Sequence, residues 1–184
     1  MLAPEEAWKV LRAADVICDE NAARTAVERI AQQISVALGE RFPLVISVMG
    51  GGVVFTGQLL PLLRFPLEFD YLHATRFRGT TSGGQIEWKV LPRVAVKGRV
   101  VLILDDILDQ GHTLLAIRDR MIGEGASAFY SAVFADKILA QEKPIYADFV
   151  GVKVPDRYVF GYGMDVYGAW RNLPAVYALR NVGD

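Results

Sequence analysis

The sequence predicts an α/β protein with a doubly wound, mainly parallel sheet flanked by helices. Apolar stretches of strand length alternate along the chain with stretches of helical periodicity, which is typical of βαβ units. Two of these stretches, residues 44–49 and 100–104, contain no charged residue, as is typical of strands buried on both faces. Ligands of such sheets bind beyond the carboxyl ends of the strands, so the residues after these two stretches are the first candidates for a site.

The helices are predicted from apolar residues that recur three and four positions apart. Because positions 27, 30, 31, 34 and 38 are apolar, we predict helix through the first forty residues, ended by Gly39. Residues 53–64 and 113–122 repeat the pattern. Apolar or alternating runs predict further strands at residues 67–77, 86–90, 128–135, 149–152, 158–162 and 176–179.

Composition limits the class of protein. A chain of 184 residues has the length of one domain, and 52% hydrophobic with 22% charged residues excludes general disorder. Its 20 basic and 21 acidic residues leave no basic surplus of the kind that nucleic-acid-binding proteins show, so we expect no nucleic-acid partner. One cysteine, Cys18, excludes an intrachain disulfide and a cysteine-based zinc site, which fits a reducing compartment.

A long uncharged stretch raises the question of a membrane span. Residues 42–63 carry no charge over 22 positions, which is enough length to cross a bilayer. Four glycines and two prolines interrupt it, so we interpret it as a strand, a glycine turn and a helix. Residues 1–6 lack the basic and apolar regions of a signal peptide. We therefore expect a cytoplasmic protein without a membrane partner.

An acidic loop follows the second uncharged strand. Asp105 and Asp106 are adjacent, Asp109 comes three positions later, and Gly111 then opens a helix. Free N–H groups at a helix N-terminus bind phosphate, whereas carboxylates suit ribose hydroxyls or a magnesium ion. The local chemistry therefore favours a sugar phosphate, with Asp109 left near the sugar for proton transfer. A receiver-type acidic pair and a merely solvated turn remain alternatives at this point.

A glycine turn follows the first uncharged strand. Gly50, Gly51 and Gly52 come directly after Met49 and leave their backbone amides accessible. Such a turn suits an anion, although a merely flexible turn remains an alternative.

Two longer patterns resemble a known family. Residues 101–113 resemble the phosphoribosyl-pyrophosphate motif of type I phosphoribosyltransferases, with Gln110 at a position where the family most often has threonine. Lys137, the run Tyr158–Asp165 and Arg171 resemble the signature of the hypoxanthine-guanine branch of that family. The stretches 148–151 and 155–156 fit the same signature.

The resemblance implies roles for the acidic loop. Asp105 and Asp106 would position the ribose hydroxyls, directly or through Mg²⁺, and Asp109 would act as general base near purine N7. The 5′-phosphate would be held by the rest of the loop, which consists of Gln110, Gly111, His112 and Thr113. Pyrophosphate would contact the backbone of Met49, Gly50 and Gly51, with a cis peptide between the first two.

The resemblance also implies how the purine is held. Lys137 would donate to the 6-oxygen and could assist catalysis as an acid. Tyr158 would stack on the ring, and the backbone of Val159 would contact its opposite edge. Asp165 would hold Mg²⁺ and Arg171 would bind pyrophosphate. Residues 76–85 match the flexible catalytic loop, in which Arg76 could reach pyrophosphate.

The predicted function is purine salvage, with phosphoribosyl pyrophosphate and hypoxanthine or guanine as substrates. Two alternatives remain: a non-catalytic nucleotide-sensing regulator of the same fold, or the same reaction on xanthine. The resemblance implies a homodimer or homotetramer. It also implies one domain over residues 1–184, with a core over about 40–137 and a hood from about 1–15 and 138–184.

Overall fold

The computed structural model describes residues 2–76 and 86–180. Its α-helices there are α1 (Pro4–Ala13), α2 (Glu20–Leu38), α3 (Val53–Leu59) and α4 (His112–Gly123), with a 3-10 turn at Leu60–Leu62. Its strands are β1 (Asp15–Cys18), β2 (Leu44–Val48), β3 (Glu68–Arg76), β4 (Ile86–Val90), β5 (Val100–Leu108), β6 (Ala128–Lys137), β7 (Phe149–Val154), β8 (Val159–Phe160) and β9 (Val176–Ala178).

A six-stranded sheet forms the centre of the molecule, in the order β4-β3-β2-β5-β6-β7. All neighbouring strands are parallel except β4, which runs antiparallel to β3 at one edge. Every residue of β2 is buried, as its uncharged sequence predicts. The predicted α/β architecture is therefore confirmed, and the carboxyl ends of β2, β5 and β6 lie side by side.

Each face of the sheet has its own apolar cluster. On one face α2 and α3 pack against the sheet, and Ile30, Phe55 and Phe134 are fully buried there. On the other face α4 contributes Ile117 and Met121. Asp19 caps the start of helix α2. Its carboxylate accepts a hydrogen bond from the Ala22 amide at 2.8 Å and so satisfies one free N–H of the first turn.

A second, three-stranded sheet covers one end of the first, and we call it the hood. Its order is β1-β9-β8, with antiparallel pairing throughout. It combines residues 15–18 with residues 159–178, so the two ends of the described chain meet in it. The expected hood began at residue 138, whereas β7 lies in the large sheet, because its alternately buried residues pair with β6.

The prediction of helix through the first forty residues is wrong over residues 14–19. The chain leaves α1 at Ala14, which has extended backbone angles, and forms β1 before α2 begins. Strand β1 is only four residues long and is stabilised by pairing with β9, which is more than 150 residues away. A local pattern carries no information about such a partner.

The interpretation of residues 42–63 as strand, turn and helix is confirmed. Among the residues that the structure describes, no helix combines the length and the apolar character needed to cross a membrane.

Candidate functional site

The acidic pair lies inside β5, which continues to Leu108 instead of ending before Asp105. The Asp106 amide donates to Asp105 Oδ1 at 2.9 Å, and Asp106 is almost fully buried. Loss of hydration, followed by the neighbouring Asp106 charge, raises the pKa of Asp105 well above its usual value. Loss of hydration also raises the pKa of Asp106, although Asp105 and Arg171 oppose that shift.

The loop after β5 joins this pair to α4. Asp109 and Gln110 are exposed, whereas Gly111 is buried and has a φ of 85°. A side chain at Gly111 would press on Pro144 and Ile145 at 3.3 Å, so the loop passes close to the segment between β6 and β7. His112 and Thr113 form the first turn of α4. Amides at such a helix start suit a phosphate group.

The glycine turn after β2 lies against the acidic pair. The predicted cis peptide between Met49 and Gly50 is present. A Cβ on Gly51 would overlap the carboxylate of Asp106, so only glycine allows this approach. The carbonyl of Gly51 in turn lies where a Cβ on Gly163 would be, and Gly163 has a φ of 102°. Turn, acidic pair and hood segment therefore meet at one point.

An ion pair joins the ends of β5 and β6. Lys137 Nζ lies 3.3 Å from Asp109 Oδ2, with the lysine side chain 12% exposed and the aspartate 51% exposed. The parallel pairing of β5 with β6 brings these two strand ends together. A cation and a carboxylate thus face the same space beyond the sheet.

The hood encloses that space. Arg171 donates to the Gly163 carbonyl at 2.7 Å and to the Asp165 carboxylate at 2.5 Å. Tyr158 is 47% exposed, and its ring stacks on Tyr167 with centroids 6.2 Å apart. A cleft of about 200 Å³ results, and it is lined by Asp106, Ile107, Asp109, Lys137, Tyr158, Val159, Met164, Asp165 and Arg171.

Seven residues that the sequence predicted for the site therefore line one cleft. Ile107 and Met164 line it as well. The sequence did not predict them, because an apolar residue in a strand or turn is normally interpreted as part of the core. Gly163 was also missed, although its place in a glycine-containing run beside the signature residues was a signal. The Arg76 side chain and residues 77–85 lie outside the described residues.

The donor set is suited to a divalent cation held jointly with substrate. Among the residues that the structure describes, no three His, Cys, Asp or Glu side chains form a closed metal cage. Asp106 and Asp165 both line the cleft, and Asp105 is the hydrogen-bonded neighbour of Asp106. Mg²⁺ is typically bound by one or two carboxylates plus substrate phosphates rather than by a protein cage, so these residues fit it.

The comparisons with known proteins all match the same kind of domain. Residues 14–167 match the model of the phosphoribosyl transferase domain. The chain is 30% identical to the hypoxanthine-guanine phosphoribosyltransferase of Bacillus subtilis, over 90% of this chain and 92% of that protein. It is 31% identical to the bifunctional protein TilS/HprT of Listeria innocua, again over 90% of this chain, but it spans only 26% of that longer protein.

Solved structures agree with the fold. A hypoxanthine-guanine phosphoribosyltransferase from Bacillus anthracis superposes with a TM-score of 0.82 at 26% identity, covering 91% of this chain and 97% of that one. A hypoxanthine-guanine-xanthine phosphoribosyltransferase superposes with a TM-score of 0.80 at 26% identity, covering 91% and 97%.

Proposed function

The chain belongs to the phosphoribosyl transferase family, and from this premise we propose that it is a purine-salvage enzyme. It transfers the phosphoribosyl group of phosphoribosyl pyrophosphate to hypoxanthine or guanine and releases pyrophosphate. The substrates are small molecules, and the proposed location is the cytoplasm. We extend the proposal to a homodimer or homotetramer.

The observation that carries the proposal is the contact between Asp109 and Lys137. In a 6-oxopurine, O6 and N7 are neighbours on one edge of the ring. A lysine and a carboxylate whose polar atoms lie 3.3 Å apart match that edge, since the lysine donates to O6 and the carboxylate accepts from N7–H. Adenine carries an amino group in place of O6, so the same lysine would face a donor.

The reaction requires three changes, and each has residues that suit it. Purine N9 forms a bond to C1′ of the ribose, the bond from C1′ to the pyrophosphate oxygen breaks, and the N7 proton passes to Asp109. Asp105 and Asp106 orient the ribose hydroxyls, while the loop from Asp109 to Thr113 holds the 5′-phosphate. Tyr158 covers the purine ring and Val159 contacts its far edge.

Pyrophosphate leaves toward the glycine turn and Arg171. Backbone amides of the turn and the Arg171 guanidinium would bind it. Arg171 would then donate to pyrophosphate in addition to its present acceptors, Asp165 and Gly163, or in place of them. Mg²⁺ held by Asp105, Asp106 or Asp165 would supply charge neutralisation for this leaving group.

The first test is pyrophosphate release from phosphoribosyl pyrophosphate with Mg²⁺, measured separately with hypoxanthine, guanine, xanthine and adenine. We expect release with hypoxanthine or guanine and none with adenine. Xanthine is included because one structural relative is named for it. Tight nucleotide binding without release from any base would instead favour the nucleotide-sensing regulator.

Lys137→Ala should impair the use of oxopurines by raising KM for the base and lowering kcat/KM by roughly 10²-fold, since a buried hydrogen bond to the substrate is lost. The KM for phosphoribosyl pyrophosphate should change much less. Steady-state kinetics with each substrate varied in turn provide the measurement. An equal loss for both substrates would remove Lys137 from base recognition.

A further inference from the structure

A buried lysine outside the cleft connects the two strands that carry the ion pair. Lys143 lies between β6 and β7, and its side chain is only 5% exposed. Its ammonium donates to the Leu108 carbonyl at 2.8 Å and to Asp136 Oδ1 at 2.6 Å. Burying an ammonium is unfavourable unless it is paired and hydrogen-bonded, so this lysine is committed to these two partners.

Both partners directly precede residues of the proposed catalytic pair. Leu108 is followed by Asp109, and Asp136 is followed by Lys137. Leu108 and Asp136 are also register partners across β5 and β6. Lys143 therefore contacts the last register pair of the two strands, one residue before each side chain of the 3.3 Å ion pair.

The residues after Lys143 contact the phosphate loop itself. Pro144 and Ile145 lie where a side chain on Gly111 would come within 3.3 Å. The segment thus holds the loop at two points, its beginning through Lys143 and its middle through packing.

We propose that Lys143 is a positioning residue that fixes the distance between Asp109 and Lys137, and with it the alignment of base and acid on the purine. This inference rests on the proposed function for its kinetic consequence only. Since small displacements of reacting groups cost large factors in rate, removal of the tether should act mainly on kcat.

The test is a double-mutant cycle between Lys143→Met and Asp109→Asn. Lys143→Met alone should lower kcat about tenfold, while KM for the purine changes less than about threefold. Asp109→Asn alone should lower kcat by roughly 10²-fold. In the Asp109→Asn background, Lys143→Met should cause almost no further loss of kcat, because the general base whose distance to Lys137 it fixes no longer functions. A purely structural role for Lys143 would give the same loss in both backgrounds, which would overturn the proposal.

Two further variants serve as controls for this test. Lys97→Met removes an exposed lysine in the turn before β5, at the opposite end of the sheet, and should leave kcat unchanged. Lys143→Met combined with Asp136→Asn removes both buried charges, so it tests the tether if the single variant does not fold. This pair should fold and still show the loss of kcat, and full activity in it would contradict the positioning role.

A second readout does not need activity. In ¹H–¹⁵N spectra of Lys143→Met, the amides of residues 108–113 and 136–137 should shift, while those of β2 and the hood stay in place. Unchanged amides at Asp109 and Lys137 would overturn the tether. If the wild-type protein releases no pyrophosphate with any base, the proposed function fails, and these spectra still decide the role of Lys143.

Discussion

Asp105 and Asp106 place two carboxyl groups side by side where the core meets the cleft. Burial raises the pKa of both, and for Asp105 the neighbouring charge adds to the effect. A raised pKa means that the charged form is disfavoured in the folded state. At neutral pH the pair therefore costs folding stability, which is typical of residues kept for binding rather than for stability.

Asp105→Asn should consequently increase the free energy of unfolding at pH 7 while lowering turnover at least about tenfold. Asparagine keeps the oxygen that accepts from the Asp106 amide but carries no charge. Because the pKa of Asp105 is raised in the folded state, its ionisation lowers the free energy of unfolding by the full amount above that raised pKa. This cost decreases as the pH falls through the raised pKa. The stability gain of the variant should therefore shrink toward pH 4, near the ordinary carboxyl value of 3.8.

Urea unfolding of the variant and wild type at several pH values measures this effect. Asp119→Asn is the matched control, since Asp119 is exposed and pairs with its neighbour Arg118. Its midpoint should stay close to that of wild type. A lower midpoint for Asp105→Asn at pH 7 would show that the carboxylate is stabilising.

At this scale the sequence located most of the cleft. The acids, Lys137 and Tyr158 were found because each stands in a spaced pattern with chemical meaning. Lys143 was not found, because a single lysine in a loop is normally a solvated charge and its burial depends on how β6 and β7 pack. The assigned roles of these residues stay predictions until they are tested.

At the scale of elements, the hood segment and the glycine turn are fitted to each other. Gly163 follows β8, and its left-handed backbone brings it against the Gly51 carbonyl. Arg171 closes the same turn by donating to the Gly163 carbonyl. The glycine turn, proposed to bind pyrophosphate, and the hood segment, proposed to bind the purine, therefore share a backbone contact.

Gly163→Ala should destabilise the protein by about 3 kcal/mol, because a Cβ there meets main chain and the φ is left-handed. It should also raise KM for phosphoribosyl pyrophosphate by displacing the glycine turn. Gly168→Ala is the matched control, with a φ of 87° but open space around the Cβ, and should cost about 1 kcal/mol. Denaturant unfolding and kinetics measure both, and equal costs would mean that the contact with Gly51 is unimportant.

The elements themselves were predicted to different degrees. The ends of strands β2 and β4 and of helix α4 were predicted to within one or two residues, because apolar runs and glycines mark them locally. Strand β1 was missed, and β5 proved longer than its apolar part. In both cases pairing with a distant strand, rather than local pattern, decides the conformation.

At the scale of the whole molecule, the described residues of the hood share the core of the main sheet. Val159, Tyr162 and Val176 belong to the same buried cluster as Ile30 and Leu102 of the main sheet face. The Tyr162 ring stacks on Phe134 with centroids 3.7 Å apart. A shared core of this kind supports the prediction of one domain.

The molecule should therefore unfold in one cooperative transition. In a Trp88→Phe variant the remaining tryptophans are Trp8 and Trp170, whose rings pack 4.9 Å apart between α1 and the hood. Their fluorescence reports on the hood, whereas far-UV circular dichroism reports on the whole chain. Coincident midpoints in urea are expected. A hood transition at lower urea would indicate a second, independent unit.

The pairing of β1 with β9 also sets the order in which parts of the chain can fold during synthesis. As the chain emerges from the ribosome, the acidic loop and the glycine turn can reach their sheet once β6 is complete. Strand β1 must wait for residues 176–178 before it has a partner. The segments proposed to hold phosphate can thus fold well before those proposed to hold the purine, and β1 stays unpaired and open to misassociation in the meantime.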